Sequence, residues 1–198
     1  MRRVVDRCLE NSTQKFVLII DEINRGNIAK IFGELIYLLE YRHESIYLTY
    51  SPGKKGFQIP SNLYIIGTMN SADRSIAFVD YALRRRFYFI DFYPDLEILL
   101  AWFQNYPVAD VNPENVLNML RDVNKIIEEK IGKEYQIGQS YFMNKKLDLT
   151  TLKRVISYAI MPLIEVYFFG KREQIKNIKE ICIGATSPTP QYQNLPSS

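Results

Sequence analysis

The stretch Phe16-Val17-Leu18-Ile19-Ile20-Asp21-Glu22 decides how the rest of this 198-residue chain is read. Five consecutive apolar residues, three of them β-branched, have the pattern of a strand covered on both faces, as in a parallel sheet. Two carboxylates close it. Upstream, Val4, Val5, Cys8 and Leu9 fall at helical spacing. Downstream of the turn Asn24-Arg25-Gly26-Asn27, residues Ile28, Ile31, Phe32, Leu35, Leu38 and Leu39 predict a helix with one buried face. Residues 46–50 and 56–59 flank Ser51-Pro52-Gly53-Lys54-Lys55 and read as a β-hairpin with a basic tip. A second buried strand, Leu63-Tyr64-Ile65-Ile66-Gly67-Thr68, ends in Met69-Asn70-Ser71-Ala72-Asp73-Arg74-Ser75. A short helix over 76–83 then leads to Arg84-Arg85-Arg86 and a third strand over 87–92.

Near residue 94 the alternation of strand and helix gives way to helices alone, expected over 95–106, 113–131 with Pro113 in its first turn, 149–169 and 171–181. The expected organisation is an α/β core over 1–93, an all-α subdomain over 94–184, and a tail over 185–198. That tail is rich in Ser, Thr, Pro, Gln and Asn, with too little apolar surface to order itself.

Composition excludes more than it identifies. With 24% charged and 47% hydrophobic residues and a net charge of +3, the chain has the make-up of a soluble globular protein. There is no continuous Lys/Arg block of the kind that marks a nucleic-acid or membrane-surface binder. Two cysteines far apart, Cys8 and Cys182, and the single His43 exclude a four-ligand structural zinc site. They fit inert thiols in a reducing compartment. The charged N-terminus lacks the apolar run of a signal peptide, and no apolar stretch is long enough to span a bilayer. A cytoplasmic location without membrane association is expected.

The chemistry gathers where parallel strands stop, which is where open α/β sheets bind ligands. Residues 16–22 have the form of a Walker B segment. Asp21 can serve a hard Mg²⁺ bridging nucleotide phosphates, directly or through water. Glu22, pointing differently, can orient or deprotonate an attacking water; the alternative is that the pair only ends a strand and caps a helix. Asn70 ends the second strand, either as an amide holding the lytic water or γ-phosphate, or as a strand terminator in an Asx-turn. Three adjacent arginines exceed what the nearby Asp80 and Asp91 can neutralise, and an arginine presented to a neighbouring subunit's γ-phosphate stabilises transition-state charge; the alternative, for one of the three, is a solvated basic turn.

Taken in order and spacing over residues 16–93, Leu18-Ile19-Ile20-Asp21-Glu22-Ile23-Asn24-Arg25, then residues 62–75 with their Met69-Asn70-Ser71-Ala72-Asp73-Arg74 element, then Asp80-Tyr81-Ala82-Leu83-Arg84-Arg85-Arg86-Phe87, resemble the AAA+ NTPases of McrB-type modification-dependent restriction systems. Ile137-Gly138-Gln139-Ser140-Tyr141-Phe142 resembles a motif in that family's helical lid, with Gln139 where the motif is expected to carry histidine. The resemblance implies a three-layer αβα P-loop core followed by a helical lid. It implies Asp21 as the Mg²⁺-associated carboxylate, Glu22 as catalytic base, Asn70 as sensor I, Asp73 and Arg74 in the signature loop, and Arg85 and Arg86 as trans-acting arginines. It further implies a ring, usually a hexamer, that hydrolyses GTP or ATP and drives a separate McrC-like nuclease subunit on modified DNA.

One element is missing. The phosphate-cradling loop G-x-x-x-x-G-K-[ST] does not occur, and the hairpin tip Gly53-Lys54-Lys55-Gly56 has the wrong spacing and setting. The expectation is therefore the Walker B, sensor and lid part of a longer NTPase. The alternative is a catalytically inactive AAA+-like module that assembles with partners and binds no nucleotide alone. In the family's topology the missing strand lies between the sensor I strand and the strand after the arginines, so those two would flank a vacancy or pair directly.

Overall fold

The computed structural model describes residues 2–26, 32–47, 56–70, 72, 84–108 and 110–186. The chain divides into two compact units between Asp91 and Phe92.

In the first unit, α1 (Arg2–Glu10) leads to β1 (Phe16–Ile20), a 3₁₀ turn over Ile23–Arg25, α2 (Leu35–Glu40) and β2 (Leu63–Gly67). The two strands pair in parallel, with Phe16 opposite Leu63 and Ile20 opposite Gly67. Alternation sends Phe16, Leu18, Leu63 and Ile65 to one face of the pair. Phe16, Leu18 and Leu63 pack there with Val5 and Cys8 of α1, Leu38 of α2, Phe57 and Ile59. Asn62 fastens this layer: its Nδ2 donates to the carbonyls of Cys8 at 3.0 Å and Gln14 at 2.9 Å, and its own carbonyl accepts from Phe16 N–H at 2.8 Å.

Three expectations need correction. The strands are not covered on both sides by the described residues: Val17 (54% exposed), Ile19 (65%), Tyr64 and Ile66 leave one sheet face open. Residues 87–92 pair with no described strand, and Tyr88, Ile90 and Phe92 stand exposed. A lone apolar run lacks a neighbouring ladder to satisfy its backbone, so composition alone does not make it a strand. Of the expected hairpin, the described part is a single antiparallel bridge between Ile46 and Phe57. Its tip, the expected helix over 76–83, the first residues of the helix predicted after Gly26, and the tail beyond Thr186 lie outside the described residues.

The second unit is built around α4 (Pro113–Lys130), preceded by α3 (Leu96–Asn105) and followed by α5 (Leu149–Val155), α6 (Met161–Tyr167) and α7 (Arg172–Ala185). Helix starts follow their caps. Asp95 Oδ1 accepts from Glu97 N–H at 2.8 Å, Asn112 Oδ1 from Glu114 N–H at 2.9 Å, and Asp148 Oδ1 from Thr151 N–H at 2.6 Å. The Thr151 amide holds the Asp148 carboxyl below its ordinary 3.8, so this cap is fully formed above that pH and weakens as pH falls through the lowered value. Val116, Leu120, Val123 and Ile127 make the buried stripe of α4, with Leu99 and Phe103 contributed by α3 and Ile178 and Cys182 by α7. Burial pushes the Cys182 thiol up to about 11, and Cys8 is raised by the same cause, so both buried thiols are unreactive at neutral pH.

The expected helix over 149–169 contains a π-helical segment at Ile156–Ile160. The buried residues Leu152, Ile156, Ile160, Ile164 and Phe168 recur every fourth position. In an α-helix of 3.6 residues per turn such a row drifts about 160° over its length, and one inserted residue cuts this to about 60°. The π segment thus keeps one stripe facing the core.

Between helices, the side chain of buried Asn124 clasps the backbone of Ile137: Nδ2 donates to its carbonyl at 2.9 Å, and Oδ1 accepts its N–H at 2.7 Å. Asn124→Ala leaves both groups buried without partners and lowers lid stability by about 1–3 kcal/mol, read as a fall in urea midpoint at constant slope.

Candidate active site

The two parallel strands end side by side, and Thr68, one residue past β2, ties their ends together. Its N–H donates to Ile20 O at 3.0 Å and its carbonyl accepts from Ile23 N–H at 2.9 Å. Its hydroxyl accepts from Glu22 N–H at 3.1 Å and donates to Asp21 Oδ1. Four contacts from one residue hold the carboxylate pair in place, and sequence reasoning, which took Thr68 only as the last residue of its strand, missed them.

Glu22 is held in the left-handed region, φ 51° and ψ 48°, and is the one non-glycine with positive φ among the described residues. A left-handed non-glycine costs about 1–2 kcal/mol, and such strain gathers at functional sites. The turn directs the Glu22 side chain away from the strand line, where Oε2 lies 3.3 Å from Arg25 Nε. That angle makes no hydrogen bond to Oε2, which is otherwise enclosed, so the contact is a Coulombic one.

Asn70 sits across from this turn. Its Oδ1 accepts from Ala72 N–H at 3.0 Å, an Asx-turn, and its carbonyl receives a long 3.5 Å contact from Nδ2 of buried Asn24. The strand-terminating geometry is thus present, and it leaves the amide nitrogen as the end with which Asn70 can meet an anion. The structure therefore gathers Asp21, Glu22 and Asn70 at one sheet edge. Asp73 and Arg74 lie outside the described residues.

The arginines differ sharply in their surroundings. Arg84 Cζ lies 5.6 Å from the centroid of the Phe89 ring. Arg86 Nη2 is 2.8 Å from Glu40 Oε2 with its side chain only 16% exposed. Arg85 is exposed. Phe87 packs into a second cluster around Phe32, shared with Ile20 and Ile23 on either side of the carboxylate pair and with Leu39. Glu40, the partner of Arg86, gave no sequence signal of its own, because pairing across 46 residues depends on the fold.

In the lid unit, Gln139 and the residues to Phe142 form a 3₁₀ turn, with Phe142 fully buried and Tyr141 exposed. Gln139 Oε1 accepts from Asp95 N–H at 3.3 Å, which ties this turn to the start of α3.

An AAA domain of the dynein-related subfamily matches residues 1–87, and the alpha-helical lid domain of McrB matches residues 115–176. The first match falls in the first unit and the second within the helical unit. It is 40% identical over 177 residues to the type IV methyl-directed restriction enzyme EcoKMcrB subunit of Escherichia coli K12, covering 81% of this chain and 38% of that protein. It is 29% identical over 161 residues to the type II restriction enzyme BsuMI component YdiS of Bacillus subtilis 168, covering 73% of this chain and 47% of the relative. With both an AAA domain and a McrB lid, the chain belongs to the McrB-type AAA+ proteins. It spans less than half the length of either relative. No helix among the described residues is long and apolar enough to cross a membrane.

The Thr68 tie makes a local prediction. Thr68→Val removes the hydroxyl while keeping the shape, and the exchange rate of the Glu22 amide rises at least about tenfold, whereas Thr68→Ser leaves it near the native value; equal rates in both variants exclude the hydroxyl as the tie.

Proposed function

We propose that this chain supplies the Walker B, sensor I, arginine and lid parts of an AAA+ nucleoside triphosphatase that hydrolyses GTP or ATP as the ring motor of a McrBC-like DNA restriction system. The observation that carries this reading is the convergence of Asp21, Glu22 and Asn70 at the adjoining ends of two parallel strands, held by Thr68. The restriction-enzyme names of both relatives support the biological setting.

In this reading the sheet is the incomplete part of a three-layer αβα P-loop core over 1–93, the lid covers 94–184, and 185–198 is a loose tail. The open face at Val17, Ile19, Tyr64 and Ile66 is consistent with a core whose remaining layer comes from elsewhere. The protein works in the cytoplasm as a homo-oligomeric ring, a hexamer, with an McrC-like nuclease subunit and DNA as partners.

Asp21 fits Mg²⁺: it offers an exposed carboxylate with Thr68 on one oxygen, and no cluster of three or more His, Cys, Asp or Glu forms among the described residues. That donor set suits a cation carried by phosphates and water more than one caged by protein. When bound, the cation neutralises charge on the phosphate oxygens. Glu22, aimed aside by its left-handed backbone, accepts the proton of the attacking water. Asn70 donates its amide N–H to that water or to a γ-phosphate oxygen. Asp73 and Arg74 belong to the signature loop near the subunit boundary. The run Arg84-Arg85-Arg86, in which the resemblance singles out Arg85 and Arg86, brings a guanidinium to the neighbour's phosphates, where such an arginine contributes about 10³–10⁵ in rate.

Glu22→Gln in the complete enzyme abolishes hydrolysis and spares nucleotide binding; unchanged turnover removes Glu22 from the mechanism. Rings mixed from Glu22→Gln and Arg85→Ala subunits regain part of the activity that each lacks alone, and absence of rescue rules out action across the interface. The 198-residue chain by itself, lacking the phosphate-cradling loop, neither binds nor hydrolyses nucleotide. Robust hydrolysis by the purified chain overturns that expectation.

A further inference from the structure

We infer that the three adjacent arginines have separate tasks: Arg85 is the one that acts on the neighbouring phosphates, and Arg86 is an internal strut held by Glu40, a positioning residue. The inference rests on the reading of the site as an NTPase.

Glu40 is the last residue of α2, and that helix has no basic residue in its final turn. A carboxylate at a helix C-terminus faces the negative end of the dipole, so a cation beside it is favoured on local grounds. Arg86 fills that place at 2.8 Å, mostly buried. A guanidinium held by a carboxylate in its own subunit is already neutralised, and reaching across a boundary would break that pair and leave the Glu40 carboxylate without its cation. Arg84 lies over the Phe89 ring. Arg85 is exposed and forms no ion pair with any described residue, so it can meet a phosphate without giving up an existing partner.

The strut is anchored as well as paired. Phe87, the next residue, packs into the cluster around Phe32 that also holds Ile20 and Ile23, the residues flanking Asp21-Glu22, and Leu39, the neighbour of Glu40. Glu40, Arg86 and Phe87 therefore fix the arginine run to the same apolar cluster that supports the subunit's own carboxylate pair. Arg85 projects from this anchored point. Loss of the pair leaves Arg85 present but less well aimed, and misplacement of an ångström at a reacting centre costs up to about 10²-fold.

The test is steady-state hydrolysis by assembled rings of the complete enzyme. Arg85→Ala lowers kcat by about 10³ or more. Glu40→Gln and Arg86→Gln each lower kcat by about 10- to 100-fold with KM within about twofold, and the double variant is no worse than either single, as one shared interaction requires. The charge exchange Glu40→Arg with Arg86→Glu recovers at least half of the loss on a logarithmic scale. The strut is overturned if Arg86→Gln falls as far as Arg85→Ala, which places Arg86 on the phosphates, or if Glu40→Gln turns over at the native rate. It is also overturned if the exchange recovers nothing, or if Glu40→Gln loses only nucleotide affinity, which assigns the pair to nucleotide binding. Should Arg85→Ala leave kcat untouched, the NTPase reading of the arginines fails and the strut with it; a loss confined to Arg85→Ala leaves that reading standing and removes the strut alone.

Discussion

The placement of the Asp21-Glu22 carboxylate pair hangs on the hydroxyl and backbone of Thr68. Two parallel strands bring their ends together, but a strand end is where ladder hydrogen bonds run out and the chain is free to fray. Thr68 replaces the lost ladder with contacts to Ile20, Asp21, Glu22 and Ile23. These contacts over-determine the turn, which is what allows a glutamate to remain in a backbone region that it would otherwise avoid.

The sequence revealed the elements whose information is local. Periodicity placed both strands and the lid helices, because an amphipathic stripe or a continuous apolar run is visible within a dozen residues. The helix at Pro113 was legible from its first-turn proline for the same reason, whereas the caps Asp95 and Asn112 emerged only in the structure. Residues 87–92 looked equally strand-like, yet pairing needs a partner edge, and that is a property of the whole sheet. The π segment at Ile156–Ile160 was present as a four-residue spacing that a helix reading treats as ordinary amphipathicity.

At the site, the carboxylates, the amide and the arginines were legible by residue type and order. Their differences were not. Nothing in Arg84-Arg85-Arg86 tells one guanidinium from the next; only a carboxylate contributed by the end of α2 and an aromatic ring at Phe89 separate them. Thr68 was equally plain as a strand residue and equally opaque as a tie, since its role lies in contacts with residues 45 to 48 positions earlier. The lid presents the same contrast: Phe142 and Tyr141 are adjacent aromatics, one fully buried and one exposed, and the clasp between Asn124 and Ile137 sets the start of the turn that divides them.

The left-handed glutamate has a consequence for anyone redesigning such a chain. Glycine at position 22 relaxes the backbone at no steric cost, so a search guided by folding stability alone is drawn toward it. That same change deletes the carboxylate proposed as the base. Under that proposal stability and chemistry are opposed at one residue, and a thermostabilised variant selected without an activity screen would drift toward a better folded protein that lacks it.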